Sequence, residues 1–259
     1  MSKFIHPTAI VEDGASIGED CYVGPFSTIG FDVVLEDGVR LESHVVVEGR
    51  TSIGKETKIF PFVSIGMAPQ DLKYSGEPTS VEIGERNMIR EFVTIHRGTS
   101  GGGGTTRIGS DNLLMAQSHV AHDCQLGDGI IMANGATLAG HVEIADRANI
   151  GAYSGVHQFC RVGLEAFVGG YSVVVKDAPP FATIQGNHAR CFGLNRLGMK
   201  RRGYSTEAIR DLNHAYHLLL SAKLNTSQAL ERIKAEISGR EEIEILVEFI
   251  ETSKRGVVL

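Results

Sequence analysis

Tryptophan is absent from this 259-residue chain, and its four cysteines, Cys21, Cys124, Cys160 and Cys191, form no Cys-x-x-Cys pair. Zinc-ribbon and thioredoxin-like chemistry have no motif to stand on, and the thiols read as small buried residues in a reducing compartment. No uninterrupted apolar run reaches the roughly 18 residues of a membrane-spanning helix. The opening MSKFIHPTAIVEDG has no apolar core of signal-peptide length. A cytoplasmic protein without membrane spans is expected. A net charge of −6 gives no reason to expect binding to nucleic acid.

What the chain has instead is a period. A large apolar residue returns at every sixth position from Ile5 to Ile65, and again from Ile108 to Val174. Neither a helix nor an alternating strand repeats every six residues. The fourth residue after most of these is small, as at Ser118, Cys124, Ala136 and Ala148, so each hexad offers one large and one small residue to an interior. Short flat strands joined by tight turns satisfy that pattern, as a parallel β-helix of hexapeptide repeats. Glycines follow many of the aliphatic positions, as in IGED, VGPF and IGKE, where they suit a turn needing positive φ. With three hexads to a triangular coil, residues eighteen apart stack at a spacing of about 4.8 Å.

That ruler collects polar residues. His122 lies two after Val120, His141 three after Leu138, and His157 and Gln158 one and two after Val156; the three aliphatic positions are eighteen apart. Three successive coils therefore place histidines along one edge, with His119 and Asp123 beside them. His6 and His44 have no companions on the ruler and read as turn or surface residues.

Two segments interrupt the repeat. Residues 66–80 separate Ile65 from Ile83, and because these are eighteen apart the segment is expected to replace part of a coil with the register kept. Residues 96–107 contain GGGG without the Lys-Ser/Thr of a phosphate-binding P-loop, and read as a flexible loop. After Val174 come two prolines, a basic passage with Arg190, Arg196, Lys200, Arg201 and Arg202, and three helical patterns. The helices are expected from Ser205 to about Ser221, from an Asn225–Gln228 capping box onward, and from Glu241 to about Lys254. The expected organisation is a β-helix over 1–177 and a helical domain over 178–259.

HVAHDC at 119–124, LAGHV at 138–142, VHQF at 156–159, PQDLKYSGEPT at 69–79, TIHRGT at 94–99, QGNHA at 185–189 and GMKRRG at 198–203 together resemble the UDP-N-acetylglucosamine acyltransferase family. The resemblance spans nearly the whole chain. It implies a left-handed parallel β-helix, a homotrimer with active sites between subunits, and the first step of lipid A biosynthesis. In that step an (R)-3-hydroxyacyl group moves from acyl carrier protein to the glucosamine 3-hydroxyl of UDP-N-acetylglucosamine, with no covalent intermediate. No cofactor is implied beyond the carrier's own phosphopantetheine.

By motif, His122 resembles the general base, Asp123 the group that orients it, and Gly140 the backbone donor to the oxyanion. Asp71 and Lys73 resemble sugar contacts, with His119, His141, His157 and Gln158 around the glucosamine and acyl groups. His188, Asn195, Arg201 and Arg202 match positions near the nucleotide or the phosphopantetheine, and Gly170 matches the end stop of the acyl groove. One departure is Leu197, where the family often has an acidic residue. Other readings are the same transfer to a 3-amino UDP-sugar, and a zinc-dependent trimeric β-helix of carbonic anhydrase type using His119, His122 and His141. A third, the N-acyltransferase acting later in the pathway, would need an added uridine-binding domain, whereas the repeat here already begins at Ile5.

Overall fold

The computed structural model describes residues 3–220, 223–237 and 239–259. Strands of mostly two residues build three sheets of eleven, nine and eight strands, here faces 1, 2 and 3, which the chain visits in that order on every turn. Val120 pairs with Leu138, Leu138 with Val156 and Val156 with Val174, as the eighteen-residue ruler requires. The hexad aliphatics from Val23 onward point inward and are buried, while Ile5, Val11 and Ile17 in the first coil are partly exposed. Each buried one contributes roughly 1.5–3 kcal/mol. The coils wind left-handed. The usual right-handed rule arises from strand twist feeding a helical crossover, and two-residue strands joined by tight turns have neither.

The small fourth residues fill the corners. Where they are polar they bind the corner backbone: Asn87 Nδ2 donates to Gly84 O and Gly109 O at 2.9 and 2.8 Å, and Asn112 Nδ2 to Gly127 O at 3.0 Å. Corner carbonyls are thereby satisfied inside the coil.

The glycines after the aliphatic positions serve a different need from the one their sequence suggested. Gly24 and Gly54 do not have positive φ; that conformation falls two residues later, on Phe26 and Glu56. Glycine is required because a Cβ at Gly24 or Gly54 would stand 2.8 or 2.6 Å from the backbone of the next coil. The left-handed corner position recurs as three columns. Gln117, Tyr153 and Tyr171 mark the corner between faces 1 and 2, Asp123, His141 and Phe159 that between 2 and 3, and Asp111, Arg147 and Glu165 that between 3 and 1, all with φ of 54–64°.

The first interruption also differs from expectation. Ile65 stacks on Val47 in face 2, whereas Ile83 stacks on Ile53 in face 3, thirty residues back. The segment is thus an insertion of twelve residues at one 2–3 corner, and the eighteen-residue spacing is coincidental. The second interruption enters the same corner one coil later: Ile83 pairs with Ile108, seven residues more than a plain coil. Both loops overhang one corner.

Beyond Val174 the sheet continues. Ala182–Gln185 adds a parallel strand to face 1 against Phe167–Val168, and Arg190–Leu194 returns antiparallel to it, so this part of the expected helical segment is strand. Helix α1, Arg196–Arg201, has no apolar periodicity to announce it and is capped by Asn195 Oδ1 accepting from Gly198 N. Helix α2, Thr206–Leu220, begins after Ser205, whose Oγ accepts from Ala208 N; the expected end at Ser221 lies outside the described residues. Helix α3, Thr226–Glu236, opens with the predicted capping box, and α4 spans Glu241–Glu251. The chain end then returns to the coil, with Val258 N donating to Asp177 O.

Candidate active site

The corner beneath the two loops carries the candidate site. His122 Nδ1 lies 2.7 Å from Asp123 Oδ2, and the Asp123 side chain is fully buried. The carboxylate also accepts from Thr99 N at 2.8 Å and Thr99 Oγ1 at 2.6 Å. Thr99 opens the loop that contains GGGG, and a Cβ on Gly102 would stand 2.1–2.4 Å from the carboxylate atoms. That loop is no mere flexible connector; it packs on the acid and seals it from water. An acid at Nδ1 selects the Nδ1–H tautomer, leaving a lone pair on Nε2.

One coil on, the backbone of Gly140 presses against the same imidazole. A Cβ there would fall 2.6 Å from His122 Nε2, so any larger residue must displace the ring. Among the described residues the Gly140 N–H has no acceptor. A bare imidazole nitrogen thus neighbours a residue whose amide donor is free.

His141 stands edge-on to His122 at 5.1 Å and stacks on Phe159 at 4.4 Å. Burial lowers its pKa, against the opposing pull of Asp123. His119, on face 2, has Nδ1 2.7 Å from Thr94 Oγ1; burial, with help from His96 and His122, lowers it to about 4. Both are held as neutral imidazoles. His96 joins this group unforeseen, buried with its ring 5.0 Å from that of His119 and Nδ1 unpartnered. Ile95 pairs with Val120 at a spacing of twenty-five, so the loop insertion hides the alignment of His96 from an eighteen-residue ruler.

The first loop closes over this corner. Asp71, Lys73, Tyr74, Thr99, His141 and Phe159 line a cavity of about 350 Å³. A second, of about 620 Å³, runs from Asp123, His141 and Phe159 toward Arg161 and Arg255. His157 and Gln158 are exposed one coil above His141.

Residues 177–258 match the family model described as UDP N-acetylglucosamine O-acyltransferase, domain 2, and residues 105–140 match that of the bacterial transferase hexapeptide. The solved structure of LpxA from Acinetobacter baumannii is 45% identical over 98% of this chain and 99% of its own, with a TM-score of 0.96. This chain belongs to the UDP-N-acetylglucosamine acyltransferase family. The enzyme of that name from Bacteroides fragilis is 40% identical over 99% of this chain and all of its own, at a TM-score of 0.97. The Arabidopsis enzyme is 33% identical over 99% of this chain and 100% of its own, at 0.87.

The remaining residues suggested by the family motifs sit at the other two corners. Arg202 Nε binds Glu165 Oε2 at 2.8 Å at the 3–1 corner, where Asn195 Nδ2 donates to Glu165 O at 3.0 Å. Arg201 is exposed at the end of α1, and Leu197 is 61% exposed on the same helix. His188 lies exposed in the turn between the last two strands, beside the 1–2 corner, where Gly186 N donates to Ser172 Oγ. Gly170 occupies that corner too, its missing Cβ 3.3 Å from Ala152 O. The three-histidine zinc set is not assembled. The group that converges is His122, Asp123 and His141, with His119 outside it and Asp123 already accepting from Thr99 and His122.

Proposed function

We propose that this chain transfers an (R)-3-hydroxyacyl group from acyl carrier protein to the 3-hydroxyl of UDP-N-acetylglucosamine, opening lipid A biosynthesis in the cytoplasm. The observation that carries this reading is the His122 ring set beside Gly140, whose N–H has no acceptor among the described residues, with Asp123 buried behind Nδ1. His122 takes the proton of the sugar 3-hydroxyl as that oxygen attacks the thioester carbonyl. The oxyanion of the tetrahedral intermediate receives the Gly140 N–H. Collapse breaks the carbon–sulfur bond, and the phosphopantetheine sulfur leaves with the proton that His122 had taken. No covalent acyl-enzyme is needed. Burial pushes the neighbouring Cys124 thiol up to about 12, which removes it as a nucleophile.

Asp71 and Lys73 hold the sugar, with His119, His141, His157 and Gln158 around it. The groups for the nucleotide and the carrier (His188, Asn195, Arg201, Arg202), and the acyl stop at Gly170, belong to other corners of the coil. In this reading a neighbouring chain brings them to the His122 corner in a homotrimer. A column of rings in contact, Phe26, His44, Phe62 and Phe92, with the phenylalanines about half exposed, supports association through the 1–2 corner.

The test offers purified protein UDP-N-acetylglucosamine or its 3-amino analogue, with hydroxyacyl carriers of several lengths, and sizes the protein by sedimentation. Ester formation by a three-chain particle is expected. Amide formed faster than ester would reassign the acceptor, and full activity of a monomer would remove the shared site.

A further inference from the structure

His157 Nδ1 is within reach of two groups that make opposite demands. Gln158 O, at 3.1 Å, is an acceptor and needs an N–H. Arg255 Nη2, at 3.3 Å, has only hydrogens to give and needs a bare lone pair. One nitrogen cannot serve both.

Arg255 reaches this point from the end of the chain. Ser253 Oγ donates to Asp177 Oδ2 at 2.8 Å and Val258 N to Asp177 O at 2.8 Å, so the segment is tied to the last coil on either side of Arg255. Among the described residues the Arg255 Nε is buried without an acceptor, and the guanidinium's neighbours apart from His157 are Val175 O, 3.4 Å from Nη2, and the weakly accepting sulfur of Cys160. Withdrawing His157 would leave a confined guanidinium short of an acceptor, whereas Gln158 is exposed, in surroundings where water can serve its carbonyl. A charged donor also makes a hydrogen bond roughly twice as strong as a neutral one. Both considerations select the arginine.

We propose that Arg255 is a positioning residue that fixes His157 as the Nε2–H tautomer, a neutral ring presenting a donor at Nε2. His122, on the coil below His141, has the opposite tautomer, because Asp123 holds its Nδ1–H. One corner then carries two imidazoles of reversed polarity: His122 offers a lone pair to a hydroxyl, and His157 offers a hydrogen to an acceptor oxygen of the sugar or acyl group. The second half of that statement rests on the substrate contact proposed above for His157.

Full-length protein labelled with ¹⁵N at its histidine rings tests this by NMR at neutral pH, the His157 signals being assigned by their loss in His157→Gln. Wild type is expected to show a bare Nδ1 and a protonated Nε2. Arg255→Ala should exchange the two, and Arg255→Lys, which keeps a cationic donor, should not. The same Ala variant should lose about three- to tenfold in kcat/KM, the worth of one hydrogen bond, with Lys closer to wild type. A protonated Nδ1 in the wild type overturns the inference even if Arg255→Ala fails to fold, and so does an unchanged tautomer in that variant. A tautomer that exchanges with no effect on turnover upholds the inference and removes the substrate contact of His157.

Discussion

Asp123 and Glu165 are both acids at coil corners, with left-handed φ of 60° and 57° and side chains 0% and 1% exposed, yet their partners differ in kind. Glu165 lies between two guanidiniums, Arg147 and Arg202, each at 2.8 Å. Burial pushes its carboxyl up, against their pull. Its charge is matched on the spot, and the pair of arginines ties the end of α1 to the coil. Asp123 has Thr99 N, Thr99 Oγ1 and the His122 ring, all able to donate without carrying charge. Its negative charge therefore remains available to the imidazolium that forms when His122 takes a proton. A buried acid is a strut or a catalytic partner according to whether cations have already neutralised it.

Removing the base breaks the comparison most severely. His122→Ala should lower kcat roughly 10²–10⁴-fold with the fold intact, since His122 lies outside the aliphatic core; steady-state kinetics beside a thermal melt checks this, and near-normal turnover would end the assignment.

The neutral surroundings of Asp123 can be tested through stability. Burial holds His119 at about 4 in the fold, below the ordinary value near 6.5. Between these limits the unfolded chain takes up a proton that the folded chain refuses. Stability is therefore complete above about pH 6.5, falls as the pH drops toward 4, and loses nothing more through this group below that, on the order of 3 kcal/mol in all. Denaturant titrations of wild type and His119→Gln should diverge across that window. Parallel curves would mean that His119 is not held neutral.

Gly140→Ala sharpens the geometry, because its Cβ must displace a ring now 2.6 Å away. A shift of about 1 Å costs roughly a hundredfold in rate, with little change in substrate KM expected; wild-type kcat would show that Gly140 is not against the reacting imidazole. The smallest effect belongs to the third corner. Gly170→Met should favour shorter donors, each lost methylene contact being worth about 0.8 kcal/mol or roughly fourfold. An unchanged chain-length profile would place the stop elsewhere.

Periodicity made much of this legible. The aliphatic ladder, the eighteen-residue stacking and the gathering of His122, His141 and His157 all follow from position alone, because two-residue strands leave no freedom of register. What stayed hidden lies where the chain departs from the period. Ile65 and Ile83 are separated by one coil's length through an insertion, so their true faces could not be read, and His96 lost its alignment in the same way. The role of GGGG in covering Asp123 depends on a contact between residues 102 and 123 that no local pattern encodes. Nothing in the sequence marks Glu165, because its arginines come from different elements.

The most direct measurement compares kcat for Asp123→Asn and Glu165→Gln, both verified as folded. Asparagine cannot stabilise an imidazolium, so Asp123→Asn should lose at least about a hundredfold. Glu165→Gln should keep turnover near wild type while losing about 2 kcal/mol of stability, less than a fully buried pair because Arg147 and Arg202 are 44% and 33% exposed. Normal turnover in Asp123→Asn, or a collapse of turnover in folded Glu165→Gln, would contradict the account.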